Sequence, residues 1–368
     1  MDFDKRRQGC ARWEGIRTAM GDAKRARPPT LKDLAREAGV SLTSASYAIN
    51  GTGSVGPKTR AHILDVAKRI GFRLNLSAKS MKSGRSGMLA LIIPDLGNPF
   101  FAALVQAVFR EARAAGYQIY MTNTEGSEEI EAEALAMAVG LRVDGLIWFS
   151  IRDKDTSDGI LSNTPTVVLD RTVPGYDTVS VNYLEAGRLA GQYLLERGHR
   201  RIGIVSGPLD IASMRDRCAG VVEAFRKGGE IVFNLENSFS LDLEPIVKAR
   251  LIEDRPTAVF AGADIIAIGV IRFAQTQGLA VPADLSVLGF DDIDLASLTQ
   301  PQLSTCEIPI EHLAGRALQT LVARIKGRDD AIQSLLVESR VIERESVARL
   351  LPLLPVAGHA VLSDGTCQ

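Results

Sequence analysis

The decamer SLTSASYAIN, Ser41 to Asn50, carries no charged side chain, yet it lies in the most basic part of a 368-residue chain. Thr43 and Ser44 offer hydroxyls that donate or accept, and Leu42 and the Thr43 methyl offer apolar contact. At helical spacing Leu42, Thr43, Ser46 and Tyr47 share one side, opposite Ala45, Ala48 and Ile49. Hydroxyls and methyl groups of this kind suit the edges of DNA bases in a major groove. Lys32, Lys58 and Arg60, with the Asn50 amide, flank the decamer and suit phosphates, which fix register. From Lys24 to Arg85 the chain carries 13 Lys and Arg against three Asp and Glu, a formal +10, whereas Ser86 to Gln368 sums to −12. A basic module on an acidic body points to a polyanion partner for the first part alone.

The elements that must position these residues are legible around them. Residues 1–29, ending in AKRARPP, show no helical or strand period and read as a flexible arm; Met20 is a second candidate start within it. Thr30 is a fitting N-cap for LKDLAREA, whose Leu31, Leu34, Ala35 and Ala38 share a face. Gly39–Val40–Ser41 makes a tight turn in which Ser41 caps the second helix. Pro57, at a first helical position, opens PKTRAHILDVAKRIGF with the stripe Ile63, Val66, Ala67 and Ile70. Helix, glycine turn, helix, third packing helix is helix-turn-helix grammar over 30–74, with the second helix entering a major groove. Thr30, Ser41 and Ser44 join the DNA-facing set as cap and hydroxyl residues of these helices.

A polar connector, residues 75–86, leads to a different grammar over 87–346. Short apolar runs recur, among them MLALIIPD, YQIYMTN, DGLIWFS and TPTVVLD, then RIGIVSG, EIVFNLE, TAVFAGAD and LSVLGFDD, with amphipathic helices between most neighbours. Two such series predict an α/β body of two doubly wound parallel-sheet lobes with a cleft between them. The aspartate that ends the fourth strand pattern, Asp170, falls at a strand C-terminus facing that cleft. Residues 347–368 carry Pro and Gly without period and read as a loosely attached tail.

Enzyme classes find little here. No G-x-G-x-x-G, Walker A, H-E-x-x-H or G-x-S-x-G stands in the required context. His62, His199, His312 and His359 have no evident Ser or Cys partner and read as helical or surface residues. Cys10, Cys218, Cys306 and Cys367 form no CxxC pair, so neither a zinc site nor a disulfide framework is expected. No metal or cofactor is expected. No apolar run approaches the roughly 18 residues of a membrane span, and the N-terminus has no apolar core like that of a secretory signal. The cytoplasm is the expected compartment.

The ordered motifs TLKDLAREAGVSLTSASYAIN, VGPKTR and GF, then LNLSAKSMKSG, IIPDLGNPFF, ERGHRRIGIVSGP, RPTAVFAGADIIAIG and LSVLGFDD resemble the lactose/galactose repressor family from about Thr30 to Ser346. The resemblance implies a non-enzymatic DNA-binding regulator: a helix-turn-helix domain on a periplasmic-binding-protein-like body, acting on double-stranded operator DNA as a homodimer, or a tetramer. It adds Thr59 of the T-R motif to the DNA-contacting residues. It also implies a hinge helix in the connector, with Ala78 and Lys79 at the DNA and Met81 as a minor-groove wedge. The family's usual proline before the hinge is Leu74 here.

For the cleft, the resemblance implies effector contacts at Arg217 of SMRDRCAG, Asp291 of GFDD and the aromatics Phe100, Phe101 and Phe239. The family's Asn-Asp pair after the A-V-F strand stands here as Ala263–Asp264, so one polar contact is lost while Asp264 is retained. Arginine and carboxylates grip vicinal hydroxyls, so a sugar or sugar derivative is the expected effector, with a purine stacked on Phe239 as the alternative. A transport-type solute-binding protein is the rival reading of the body alone; the basic helical module argues against it.

Overall fold

The computed structural model describes residues 27–73, 84–226 and 228–350. Most of the basic arm and the hinge residues Leu74, Ala78, Lys79 and Met81 fall outside them. The chain divides into two compact units, residues 1–83 and 84–368.

Among the described residues the first unit holds three helices: α1 (Leu31–Glu37), α2 (Leu42–Asn50) and α3 (Pro57–Arg69). Thr30 and Asp33 form a reciprocal capping box, Thr30 N donating to Asp33 Oδ2 at 2.9 Å. Those bonds to Thr30 hold the Asp33 carboxyl below its ordinary range. Ser41 Oγ caps α2 by accepting from Ser44 N at 3.1 Å, and Gly51 ends it in the left-handed conformation. Leu34, Ala38, Ala48, Ile63, Val66 and Ala67 close a small core, with Leu34 and Ile63 fully buried.

The second unit is a body of two parallel-sheet lobes. In the first lobe β1 (Met88–Ile93), β2 (Gln118–Asn123), β3 (Gly145–Trp148), β4 (Thr166–Leu169) and β5 (Asp177–Val181) run in the order β2-β1-β3-β4-β5, with β11 (Ser334–Val337) at the far edge. Helices α4 (Pro99–Ala114) and α5 (Glu128–Gly140) connect its first strands.

The second lobe repeats that topology. Its strands β6 (Arg201–Ser206), β7 (Glu230–Glu236), β8 (Ala258–Ala261), β9 (Ser286–Asp291) and β10 (Ser304–Glu307) run as β7-β6-β8-β9-β10. The edge strand β12 (Arg340–Ile342) pairs antiparallel to β10. Helices α6 (Tyr183–Glu196), α7 (Ala212–Phe225), α8 (Pro245–Glu253) and α9 (Asp264–Thr276) cover this sheet, whereas α10 (Ile310–Ile325) returns to the first lobe.

The sequence pattern finds β1 to β9 and leaves out β10 to β12. Those three are only three or four residues long, too short to display a period, and β11 and β12 are half exposed edge strands.

Two sequence expectations fail in the body. His199 is not a surface residue: it is fully buried, within hydrogen-bond distance of Thr257 Oγ1 and the Ala348 carbonyl at 3.1 Å each. Burial lowers its pKa and so favours the neutral ring. Residues 347–350 are not a loose tail either. Val347 is buried, Ala348 N donates to Ser286 Oγ at 2.9 Å, and Leu350 N donates to Arg197 O at 2.7 Å. Backbone pairing, which sequence periodicity does not register, ties them down.

Candidate DNA-reading helix and effector cleft

On α2 the packing faces divide as the spacing predicts. Ala45 and Ala48 are buried against α1 and α3, while Leu42 and Tyr47 are 45% and 40% exposed and Thr43 is exposed beside them. Two large apolar side chains are thus left outward on this nine-residue helix. Tyr47 is held in place by the glycine loop after α2. A Cβ on Gly53 would lie 2.4 Å from the tyrosine ring, and Gly53 has φ +66°, so only glycine fits.

Lys32, Lys58 and Thr59 are exposed, the last two at the N-terminus of α3, where free backbone amides favour anions. Arg60 is half buried and its Nε has no partner. Asn50 departs from expectation: its amide donates to Ser46 O at 2.9 Å on its own helix.

The cleft is assembled from strand C-termini of both lobes, where doubly wound sheets place ligands. Its walls carry Asn98, Phe100 and Phe101 after β1, Phe149 after β3, and Asp170 and Arg171 after β4. From the other lobe come Ser213, Met214 and Arg217 of α7, Phe239 after β7, and Asp291 at the end of β9. They enclose a cavity of about 30 Å³. Phe100, Phe101 and Phe149 pack edge to face, with ring centroids 4.7–6.3 Å apart.

Arg217 is the most constrained residue of the site. Helices α6 and α7 approach closely because both carry glycine at the contact: a Cβ on Gly187 would lie 2.1 Å from the Arg217 carbonyl, and one on Gly220 2.2 Å from the Leu184 carbonyl. Its guanidinium lies between the Tyr183 and Phe290 rings, 4.5 and 4.0 Å from their centroids. Nη1 donates to Gly262 O at 2.6 Å and to Asp291 Oδ1 at 3.1 Å. Burial nevertheless outweighs the Arg217 charge and pushes the Asp291 carboxyl up to about 7.

Asp170 adopts φ +60° at the end of its strand. It accepts from the Tyr183 hydroxyl and, at 2.6 Å, from Arg171 Nη1. Burial raises its pKa against the pull of Arg171 and Arg217.

The structure thus brings Phe100, Phe101, Asp170, Arg217, Phe239 and Asp291 together, and leaves Asp264 out. Asp264 is fully buried and absent from the cleft wall, its carboxylate accepting from Thr305 Oγ1 at 2.6 Å and Ile293 N at 3.0 Å. Burial and the neighbouring Asp291 raise its pKa well above the ordinary value. It is a strut for the 291–293 turn, not an effector contact. The residues missed from sequence are Asn98, Phe149, Arg171, Ser213 and Met214. Their signal was positional, since each follows a strand C-terminus by a few residues. Among the described residues no group of His, Cys, Asp and Glu could hold a metal ion, and no helix is long and apolar enough to cross a membrane.

The model of bacterial regulatory proteins of the lacI family matches residues 30–75, and a periplasmic binding protein-like domain matches 191–347. The HTH-type transcriptional repressor PurR of Proteus mirabilis is 34% identical over 331 residues, 87% of this chain and 97% of that protein. The structure of the transcriptional regulator CelR in complex with cellobiose is 28% identical at a TM-score of 0.65, over 86% of this chain and 99% of that one. The lac repressor dimer bound to operator and the anti-inducer ONPF superposes at a TM-score of 0.79 over 88% of this chain and all of that one; at 24% identity it bears on the fold. The chain belongs to the lacI family of bacterial regulatory proteins and is a DNA-binding transcriptional repressor, not an enzyme.

Proposed function

We propose that the protein binds a near-palindromic operator as a homodimer, each α2 reading one half-site, under the control of a sugar-type effector held in the cleft. The observation that carries the effector reading is the convergence of Asp170, Arg217 and Asp291 with Phe239 from two lobes on one cavity. Carboxylates and a guanidinium offer paired acceptors and donors for vicinal hydroxyls, and an aromatic ring covers a sugar face. The cellobiose complex of a 28% identical regulator supports a carbohydrate. A purine is the second reading, favoured by the aromatic set, with Phe239 as the stacking ring. The cavity has room for a water or two, so either ligand requires the lobes to part for entry. A change in lobe closure then alters how the two DNA-binding units are presented, and Met81 in the connector is proposed to open the minor groove between half-sites. Such a regulator acts in the cytoplasm.

The DNA half of this proposal separates reading from holding. Replacing Leu42 and Thr43 together is expected to change which duplex is selected from a random pool, by about 1–3 kcal/mol per altered base contact. Lys58→Ala is expected to weaken all duplexes alike and to lower the salt slope of binding by about one. Selection followed by salt titration checks both. An unchanged preference in the Leu42/Thr43 variant removes α2 from the base edges.

A further inference from the structure

The cleft holds two buried guanidiniums, and both are under-used. Arg171 is 7% exposed and Arg217 3%. Each keeps its Nε buried and without a partner, in a cleft that both line. Arg171 Nη1 is shared between the Asp170 carboxylate, the Asp170 carbonyl and, at 3.2 Å, Ser213 Oγ of the opposite lobe, while the guanidinium lies over Phe149 at 4.8 Å. Two helices also begin on the cavity wall. α4 starts beside Asn98 and Phe100, α7 beside Ser213 and Met214, and neither has an acidic residue in its first turn. The first amides of both helices are already taken: Phe100 N donates to Asn98 Oδ1 at 3.0 Å and Ala212 N to Asp153 Oδ2 at 2.9 Å, so the guanidiniums are the donors left for a ligand. Of the carboxylates on the cleft wall, Asp170 and Asp291 are each already paired with an arginine, and burial shifts both toward the neutral form.

Resting on the effector reading above, we propose that the effector carries an acidic group, a carboxylate or a phosphate, recognised by Arg171 together with Arg217. A sugar acid or sugar phosphate fits this pattern: its hydroxyls meet Asp170 and Asp291, and its acid meets the arginines. A neutral sugar offers these donors hydroxyl oxygens but no negative charge, and charge-assisted bonds are the stronger. Arg171 is then a specificity-determining residue.

Calorimetry on the full chain at fixed ionic strength, with inorganic phosphate, D-gluconate, D-glucose 6-phosphate, D-glucose and hypoxanthine, tests this. At least one acidic probe is expected to bind about tenfold or more tighter than D-glucose. That preference should vanish in Arg171→Gln and survive in part in Arg171→Lys. Both variants are checked for folding by circular dichroism, and the Lys variant alone decides if the Gln variant fails to fold. The better of gluconate and the phosphates names the acid. Glucose or hypoxanthine binding as tightly as every acid overturns the acidic group and leaves the cleft as effector site. An acid preference untouched in both variants places the anion away from Arg171 and overturns the assignment. Binding by none of the five removes the effector reading as well.

Discussion

Leu34→Ala is expected to weaken binding to every duplex while leaving the body intact. Leu34 is fully buried in a core of six residues, where no second layer can collapse into the space left behind. Truncating a buried leucine costs about 2–5 kcal/mol. A three-helix unit of this size is stabilised by only a few kcal/mol in total, so the loss approaches its whole stability. With the stability cancelled the binding-competent fraction is about one half, and each further 1.4 kcal/mol lowers it about tenfold, so the apparent affinity for any duplex should fall about twofold to tenfold at 25 °C. Calorimetry should show the body transition unmoved, because the two units have separate cores. Wild-type DNA affinity in a folded Leu34→Ala protein would contradict the account of α2 as a reader placed by that core.

Arg217→Met is expected to do the reverse, weakening effector binding about 100-fold or more with DNA binding retained. Methionine fills the slot between Tyr183 and Phe290 but offers nothing to Asp291, the Gly262 carbonyl or a ligand. Removing one partner of a buried ion pair costs about 3–5 kcal/mol when the other stays charged. Asp291 can escape part of that cost by taking up a proton, which gives the loss a pH signature. Its folded pKa is near 7 with Arg217 present, above the ordinary 3.8, and rises further without it. A carboxyl whose folded pKa is raised loses stability as pH rises from its unfolded value to its folded one. Wild type and variant share that loss up to about pH 7. The variant's extra deficit should therefore open above pH 7 and be small at pH 5. Denaturant unfolding across that range checks it, and Arg217→Met with Asp291→Asn should flatten the difference.

Much of this molecule is legible in its sequence because its strands are buried on both faces and its helices are amphipathic. The apolar runs of β1 to β9 are short and bounded by turns, and the helical spacing of α2 by itself separates Ala45 and Ala48 from Leu42, Thr43 and Tyr47. The edge strands β11 and β12 escape because three or four residues are too few to show a period, whereas the edge strands β2 and β7, at six and seven residues, are found. The cleft is half legible. Arg217 and Asp291 stand out through motifs, whereas Arg171 meets Phe149 only when β3 pairs with β4, and Ser213 reaches Arg171 only from the opposite lobe, contacts that no local period encodes. Asp264 shows the opposite error, since a motif position drew it into the site while burial beneath the 291–293 turn gave it a structural role. Asn50 was assigned to phosphate, and its amide instead serves its own helix.

The central claim is that ligand in the cleft and DNA at α2 are coupled through one chain. Its most direct test is the dissociation constant for a selected duplex, at one salt concentration, with and without saturating cleft ligand, in wild type and in Arg217→Met. The account predicts a change of about 5- to 150-fold in wild type, the usual range of allosteric coupling, and none in the variant. A wild-type affinity that stays constant while calorimetry shows the cleft filled would contradict it.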